Sequence, residues 1–113
     1  MNKVIINKKL SFTFFTDSDE ILYINVLGSI DSSNSYDFQV RLNLFIKDKT
    51  KIIIDCENLV YISSSGIGAF TYLKTNADTL LCNLLIINVK DEIVKVFDLL
   101  GFSNYFELKK AIS

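Results

Sequence analysis

The chain has 113 residues, half of them apolar, and its 12 basic and 13 acidic side chains leave a net charge of −1. A chain of this length is expected to form a single domain over residues 1–113 that folds without a metal or disulfide. The near-neutral charge gives no reason to expect nucleic acid or anionic lipid as a partner. The absence of histidine excludes imidazole bases, histidine metal ligands and Ser–His or Cys–His nucleophile pairs.

The cysteines and the apolar stretches bear on where the protein resides. Cys56 and Cys82 lie inside apolar runs, as small buried side chains usually do, and their spacing is neither that of a CxxC redox motif nor that of a zinc site. Lys8 and Lys9 stand where the apolar part of a signal peptide would have to run. The apolar stretch of residues 80–89 is too short to span a bilayer. These features predict a reduced cytoplasmic protein without membrane insertion.

Two β-strands are predicted near the N terminus. Residues 10–16 (LSFTFFT) are rich in aromatic and β-branched side chains, and residues 21–27 (ILYINVL) alternate so that four side chains share one face. These four side chains are Ile21, Tyr23, Asn25 and Leu27. The segment between the two strands (TDSD, residues 16–19) has the composition of a turn. We therefore expect an antiparallel hairpin.

Residues 36–46 fit two patterns. Their apolar side chains alternate as in a strand, but Phe38, Leu42 and Phe45 also fit one face of a helix. We predict a helix because parallel strands on either side would need a crossover connection. Asp31 and the serines just upstream are predicted to cap this helix.

The second half of the chain alternates short apolar runs with helical patterns. The runs at residues 52–54 and 84–89 are predicted to be parallel strands that are covered on both faces. Residues 66–80 carry a 3.6-residue apolar stripe and are predicted to be a helix. A last helix is predicted over residues 92–100, with Gly101 in the position of a C-terminal glycine.

The predicted order of elements is ββαβαβα, with a further short strand or helix at residues 105–108. Strands that alternate with helices are typical of parallel βαβ units. The sequence therefore indicates an α/β fold built on a small mixed, mostly parallel β-sheet.

The segment ISSSGIGA, residues 62–69, follows an apolar run and opens the predicted helix. Serines at a helix start accept hydrogen bonds from the unpaired N–H groups of the first turn, and the helix dipole favours an anion there. A phosphate on one of these serines would add about −2 charge without conflict with the helix. From spacing alone, an ordinary N-cap with spare hydroxyls is the simpler interpretation. The segment is neither a P-loop nor a nucleophile elbow, since GxxxxGK[ST] and GxSxG are absent.

Three motifs in the same order resemble those of the STAS domain of anti-sigma-factor antagonists. The segment IIIDCENLVYISSSGIGAF, from Ile52, is similar to the family's strand ending in Asp and its following D-S-S-G-[LI]-G-like element. The segment VLGSID, from Val26, resembles the element between the second strand and first helix, and IVKVFDLLGF, from Ile93, resembles the final helix. The resemblance covers about residues 10–108. It implies a STAS-like fold with helices packed mainly on one side of the sheet.

The resemblance also implies a function without catalysis. It implies a bacterial regulator of transcription that binds an anti-sigma factor with serine kinase activity and is inactivated by phosphorylation, which a serine phosphatase reverses. Ser64 matches the phosphorylated serine, and the Asp that usually precedes it is replaced by Ser63. We expect no cofactor and no metal. The predicted partner contacts are Asp31, Ser63, Ser64, Ser65, Gly66 and Ile67.

Two other functions remain to be weighed. An accessory STAS subunit of a membrane transport complex would dock on its partner without phosphorylation, and the replaced Asp at Ser63 favours it. An enzyme with Ser64 as nucleophile would need a base, and Lys74 is about three turns further along the helix. Asp55 ends a predicted strand without a second carboxylate in its motif, so we expect a loop or cap residue and not a metal ligand.

Overall fold

A computed structural model describes residues 2–102 and 108–110 of the chain. Strands and helices follow one another in the order βββαββαβαβ. The strands are β1 (Asn2–Ile5), β2 (Leu10–Thr16), β3 (Leu22–Ile30), β4 (Lys51–Asp55), β5 (Leu59–Ile62), β6 (Asn83–Val89) and β7 (Leu108–Lys110). The helices are α1 (Ser35–Ile46), α2 (Ser64–Thr79) and α3 (Asp91–Leu99).

All these strands belong to one mixed sheet with the order β1-β2-β3-β4-β6-β7. The pairs β1–β2 and β2–β3 are antiparallel, whereas β3–β4, β4–β6 and β6–β7 are parallel. The strand β5 lies off this path and pairs in parallel with β3. The first half of β3 pairs with β4 and its last three residues pair with β5. The predicted mixed, mostly parallel sheet is therefore confirmed.

The hydrophobic core lies between one face of the sheet and the helices. Inward side chains of the strands and buried side chains of α1, α2 and α3 form one cluster. Within it the ring of Phe38 on α1 meets that of Phe70 on α2 at a centroid distance of 5.7 Å, and Phe70 meets Phe97 on α3 at 6.2 Å. Packing of the helices against the same face confirms the predicted STAS-like arrangement.

The opposite face of the sheet differs from prediction. The apolar runs in β4 and β6 led us to expect cover on both faces, and this expectation is wrong. Ile53 on β4 and Leu85 on β6 are only half-buried, whereas Ile52 and Ile54 are buried. The runs contain apolar side chains on both faces, but the helices pack on one face only.

Most predicted elements are confirmed, with shifts at their ends. The hairpin of β2 and β3 is present, and β3 extends three residues beyond the predicted end at Leu27. The ambiguous segment of residues 36–46 is the helix α1. Strands β1 and β5 were not predicted. Of the predicted element at residues 105–108, only Leu108, the first residue of β7, lies within the described residues.

Candidate functional site

The strands β3 and β5 run in parallel and end side by side. Ile30 and Ile62 are register partners, and the Ser63 N–H donates to the Ile30 carbonyl at 2.9 Å. Strand β3 leads into α1, and β5 leads directly into α2. Asp31 and Ser63, the first residues after the two strands, are therefore brought next to each other.

The start of α2 is capped by serine. Ser63 has an extended backbone, and its Oγ accepts a hydrogen bond from the Gly66 N–H at 3.3 Å. The same Oγ lies 2.8 Å from Oγ of Ser65, so the two hydroxyls share a hydrogen bond. Ser64 is the first helical residue and is exposed. The predicted serine cap is confirmed, and the helix begins two residues before the predicted start at Gly66.

The first turn of α2 packs tightly against the two strand ends. A Cβ atom on Gly66 would lie 2.6 Å from Cγ1 of Ile62 and 2.8 Å from Cγ2 of Ile30, so glycine is required for this close approach. Ile67 follows with its side chain fully buried in the core. Gly66 and Ile67 therefore hold the first turn of α2 against the strand ends and the core.

The six predicted partner contacts thus differ in accessibility. Ser64 is exposed, Asp31, Ser63 and Ser65 are half-buried, and Gly66 and Ile67 are buried. A partner that approaches this end of the sheet meets the hydroxyl groups and the carboxylate first, and meets Gly66 and Ile67 only behind them.

Asp31 carries a compensated negative charge. One carboxylate oxygen, Oδ2, forms an ion pair with Nζ of Lys9 at 3.0 Å, and Oδ1 accepts hydrogen bonds from the N–H and the hydroxyl of Ser33. The hydrogen bond from the Ser33 hydroxyl, followed by that from Lys9, lowers the pKa of Asp31 to about 2. Asp31 is therefore ionised at neutral pH.

The start of α1 depends on a buried amide. Oδ1 of Asn34 accepts from the Asp31 N–H at 2.9 Å, and Nδ2 donates to the Ser29 carbonyl at 2.9 Å and to Oδ1 of Asn7 at 3.3 Å. The prediction that side chains of Asp31 and nearby serines cap α1 is wrong. Asn34 is the N-cap residue, and its side chain makes no capping bond because it is turned back to the strand end.

Lys9, Asn7 and Asn34 are the residues of this site that the sequence did not reveal. Lys9 reaches the site because its carbonyl accepts from the Ser29 N–H at 2.9 Å. Gly28 permits this approach, since it has a φ of 110° and a Cβ there would lie 1.9 Å from the Lys9 oxygen. A glycine at a strand position often marks close approach of another backbone segment, and Gly28 was the available signal.

The start of α2 presents one exposed hydroxyl, that of Ser64. Lys74, the base considered from the sequence, pairs instead with Asp78 at 2.9 Å. Among residues 2–102 and 108–110, no group of three or more Cys, Asp or Glu side chains is arranged to hold a metal ion. In the same part of the chain, no helix is long and apolar enough to cross a membrane.

Comparison with known proteins gives one family match and several structural matches. The model of the STAS domain family matches residues 15–113. The anti-sigma factor antagonist SpoIIAA in its unphosphorylated form is 20% identical, with 88% of each chain covered and a TM-score of 0.71. The phosphorylated form of SpoIIAA, a Bacillus cell fate determinant, is 20% identical, with 88% of this chain and 91% of that chain covered and a TM-score of 0.66.

A domain of a membrane protein also shares this fold. A murine anion transporter of the solute carrier 26 family in the inward-facing state is 12% identical over 81% of this chain, with a TM-score of 0.69. The match covers only 16% of the transporter chain. At such identities the structural matches establish the fold alone, whereas the family match extends over most of the sequence. The chain belongs to the STAS domain family.

Proposed function

We propose that this protein is an anti-sigma-factor antagonist controlled by phosphorylation of Ser64. Its partner is an anti-sigma factor with serine kinase activity, and a serine phosphatase reverses the modification. The observation that carries the proposal is the exposed Ser64 hydroxyl at the first residue of α2. The match to SpoIIAA, an antagonist solved both with and without phosphorylation, supports the same role.

Ser64 is favoured over its two neighbours because of the hydrogen bonds around it. The hydroxyls of Ser63 and Ser65 are bonded to each other, and that of Ser63 also accepts from Gly66. Within the described part of the chain, the Ser64 hydroxyl makes no such bond. A kinase can thus modify Ser64 without removing the cap of α2.

A phosphate at Ser64 would change the charge of this surface strongly. It adds about −2 beside the ionised carboxylate of Asp31, whose own charge already has Lys9 as its counterion. The N-terminus of α2 stabilises the phosphate in the free protein. A partner without an arginine at this point would bury the phosphate unpaired, at a cost of several kcal/mol, or roughly a 10²- to 10³-fold loss of affinity.

The switch therefore acts at the interface and requires no refolding. The surface that binds the anti-sigma factor comprises Asp31, Ser63, Ser64 and Ser65, while Gly66 and Ile67 hold it in place. The protein acts in the bacterial cytoplasm as a regulatory component of a signalling pathway, with no catalysis of its own, no cofactor and no direct contact with nucleic acid.

Binding of two Ser64 variants to the anti-sigma factor tests this proposal. By calorimetry, Ser64→Ala is expected to bind as wild type does, and Ser64→Asp is expected to lose binding. Ser18→Asp, at an exposed position in the turn between β2 and β3, is the matched control and is expected to bind as wild type does. Phosphopeptide analysis of the protein from its own cells is expected to report Ser64. Equal binding by wild type, Ser64→Ala and Ser64→Asp would contradict the switch.

A second candidate function is an accessory STAS subunit of a membrane transport complex. Two observations favour it: the fold is shared with a domain of an anion transporter, and Ser63 replaces the family's usual Asp. This function needs no phosphate at Ser64. Co-purification with a transporter, with Ser64→Asp still bound, would select it over the anti-sigma-factor antagonist.

A further inference from the structure

The sheet face opposite the helices carries a shallow cavity of about 240 Å³ over β2, β3 and β4. Its lining residues are Thr13, Phe15, Tyr23, Ile24, Asn25 and Asp55. None of them belongs to the serine site. The cavity is smaller than the roughly 300–1,000 Å³ of pockets that hold drug-sized ligands, so it suits a molecule with a single ring.

Strand register arranges the lining in two rows. Thr13 pairs with Asn25 across β2 and β3, and Asn25 pairs with Asp55 across β3 and β4, which gives a polar row with a spacing of about 4.8 Å. Two residues away, Phe15 pairs with Tyr23. We call Phe15 and Tyr23 the aromatic pair. Polar groups and ring faces thus converge on one small cavity.

The aromatic pair is held in place. Its rings are stacked, with centroids 4.9 Å apart and an angle of 9° between the planes. Burial and the negative charge of the nearby Asp17 carboxylate raise the pKa of Tyr23. Asp17 is itself fixed by accepting from the N–H groups of Asp19 and Ile21. Phe15 is 45% exposed, so its ring remains accessible to a ligand.

Asp55 is the single charged side chain among the lining residues. Its Oδ1 accepts from the Glu57 N–H at 3.0 Å and from Nδ2 of Asn88 at 3.2 Å, so the carboxylate is oriented. The first of these bonds is the loop contact expected for Asp55. Both bonds go to Oδ1, and within the described residues Oδ2 has no hydrogen-bond donor. Lys3 and Lys51 are on the same face but do not line the cavity.

We propose that this cavity binds a small organic cation, an amine or amidine carried on a flat apolar body. The flat body lies against the aromatic pair, and the cationic group binds Oδ2 of Asp55. A carboxylate and an aromatic face both attract a cation, and the charge-assisted hydrogen bond adds orientation. An anionic ligand would meet the unpaired carboxylate oxygen and is excluded. This inference is independent of the proposed switch at Ser64.

Titration with benzamidine, followed by ¹H–¹⁵N NMR, tests the proposal. Benzamide is the neutral control of nearly the same shape, and benzoate is the anionic control. We expect saturable shifts of the Asn25 and Asp55 amide resonances with benzamidine, and a Kd at least about tenfold lower than for benzamide. Equal affinity for benzamidine and benzamide, or no saturable shift with benzamidine at millimolar concentration, would overturn the proposal.

Two variants locate the site. Asp55→Asn keeps the size of the side chain and an acceptor for the Glu57 N–H. This variant is expected to weaken benzamidine binding at least about tenfold. The control Asp98→Asn, on α3, is expected to leave benzamidine binding unchanged. Phe15→Leu keeps apolar contact but removes the ring, and severalfold weaker binding is expected. Phe15 is half-exposed, so this variant tests the site even if Asp55→Asn fails to fold. Wild-type affinity in either folded variant contradicts the proposed geometry.

Discussion

The helices α1 and α2 start side by side at the ends of neighbouring strands, yet their first turns are built differently. The start of α1 holds the buried amide of Asn34 and the ionised carboxylate of Asp31, each with several hydrogen bonds. The start of α2 holds hydroxyls, and its first residue, Ser64, is exposed. At the start of α1 the side chains of Asp31 and Asn34 form hydrogen bonds within the protein. At the start of α2 the Ser64 side chain is exposed to solvent.

Under the proposed switch, the α1 start has a structural role and the α2 start has a regulatory one. The polar groups at α1 are engaged in holding the strand end, the loop and Lys9 together, so a change there disturbs the fold. At α2 the cap bond is made by Ser63, and the anion preference of the helix start is available to a new charge at Ser64. Substitutions at the two starts should therefore differ in their effect on stability.

The largest expected effect is that of Asn34→Ala. It removes three hydrogen bonds of a residue that is 1% exposed and leaves the Asp31 N–H and the Ser29 carbonyl without this partner. We expect the free energy of unfolding to fall by about 3 kcal/mol. Urea denaturation followed by circular dichroism measures it. Asn58→Ala, at an exposed amide between β4 and β5, is the matched control, and an equal loss in both variants would show that the buried bonds of Asn34 are not the cause.

A smaller effect is expected at the cap of α2. Ser63→Ala removes the acceptor of the Gly66 N–H and the partner of the Ser65 hydroxyl, and should lower the free energy of unfolding by about 1 kcal/mol. Ser32→Ala, at an exposed position in the loop before α1, serves as the control in the same urea experiment and is expected to have little effect. If Ser63→Ala leaves stability unchanged, the cap assigned to Ser63 is incorrect.

The charge at the start of α1 should make stability depend on pH. The pKa of Asp31 is about 2 in the folded protein, below the ordinary value of 3.8, so its contribution is present above the ordinary value and disappears as pH falls to about 2. The stability difference between wild type and Asp31→Asn is therefore expected to shrink over that interval.

A carboxyl NMR titration checks the cause of this shift. Lys9→Met removes the ion pair but keeps the bonds from Ser33, so the pKa of Asp31 should rise partway toward 3.8. An unchanged pKa in Lys9→Met would show that the Ser33 bonds alone are responsible, and the charge compensation described above would then be wrong.

The smallest effect on stability is expected at Ser64, where the effect on binding is expected to be largest. Ser64→Asp should raise the free energy of unfolding by about 0.5 kcal/mol through the helix dipole, and Ser64→Lys should lower it by about the same amount. The difference should decrease at high salt because the position is exposed. A loss of several kcal/mol in Ser64→Asp would mean that charge at this position disrupts the fold and not the interface alone.

Periodicity and motif order predicted the hairpin, three helices and the parallel strands. The sequence could not predict that α1, α2 and α3 leave one sheet face uncovered, because Ile53 and Leu85 are apolar like their buried neighbours. Strand β1 was missed because only Val4 among its four residues packs against the core, so the segment shows no apolar alternation. At the site, the serine cap is local and was predictable. The contacts of Lys9 and Asn7 with the α1 loop join residues more than 20 positions apart, and no local pattern reports them.

Strand β3 positions both helix starts. Its first half pairs with β4 and its last three residues pair with β5, so its end lies beside the strand that leads into α2. The separation of Asp31 from Ser63 follows from backbone hydrogen bonding between Ile30 and its neighbours across the strand pair. The spacing of the two turns is therefore set by the backbone and not by the side chains of Asp31 and Ser63. A change of charge at Ser63 would thus alter the polarity of this surface while Ile30 and Ile62 keep the two turns adjacent.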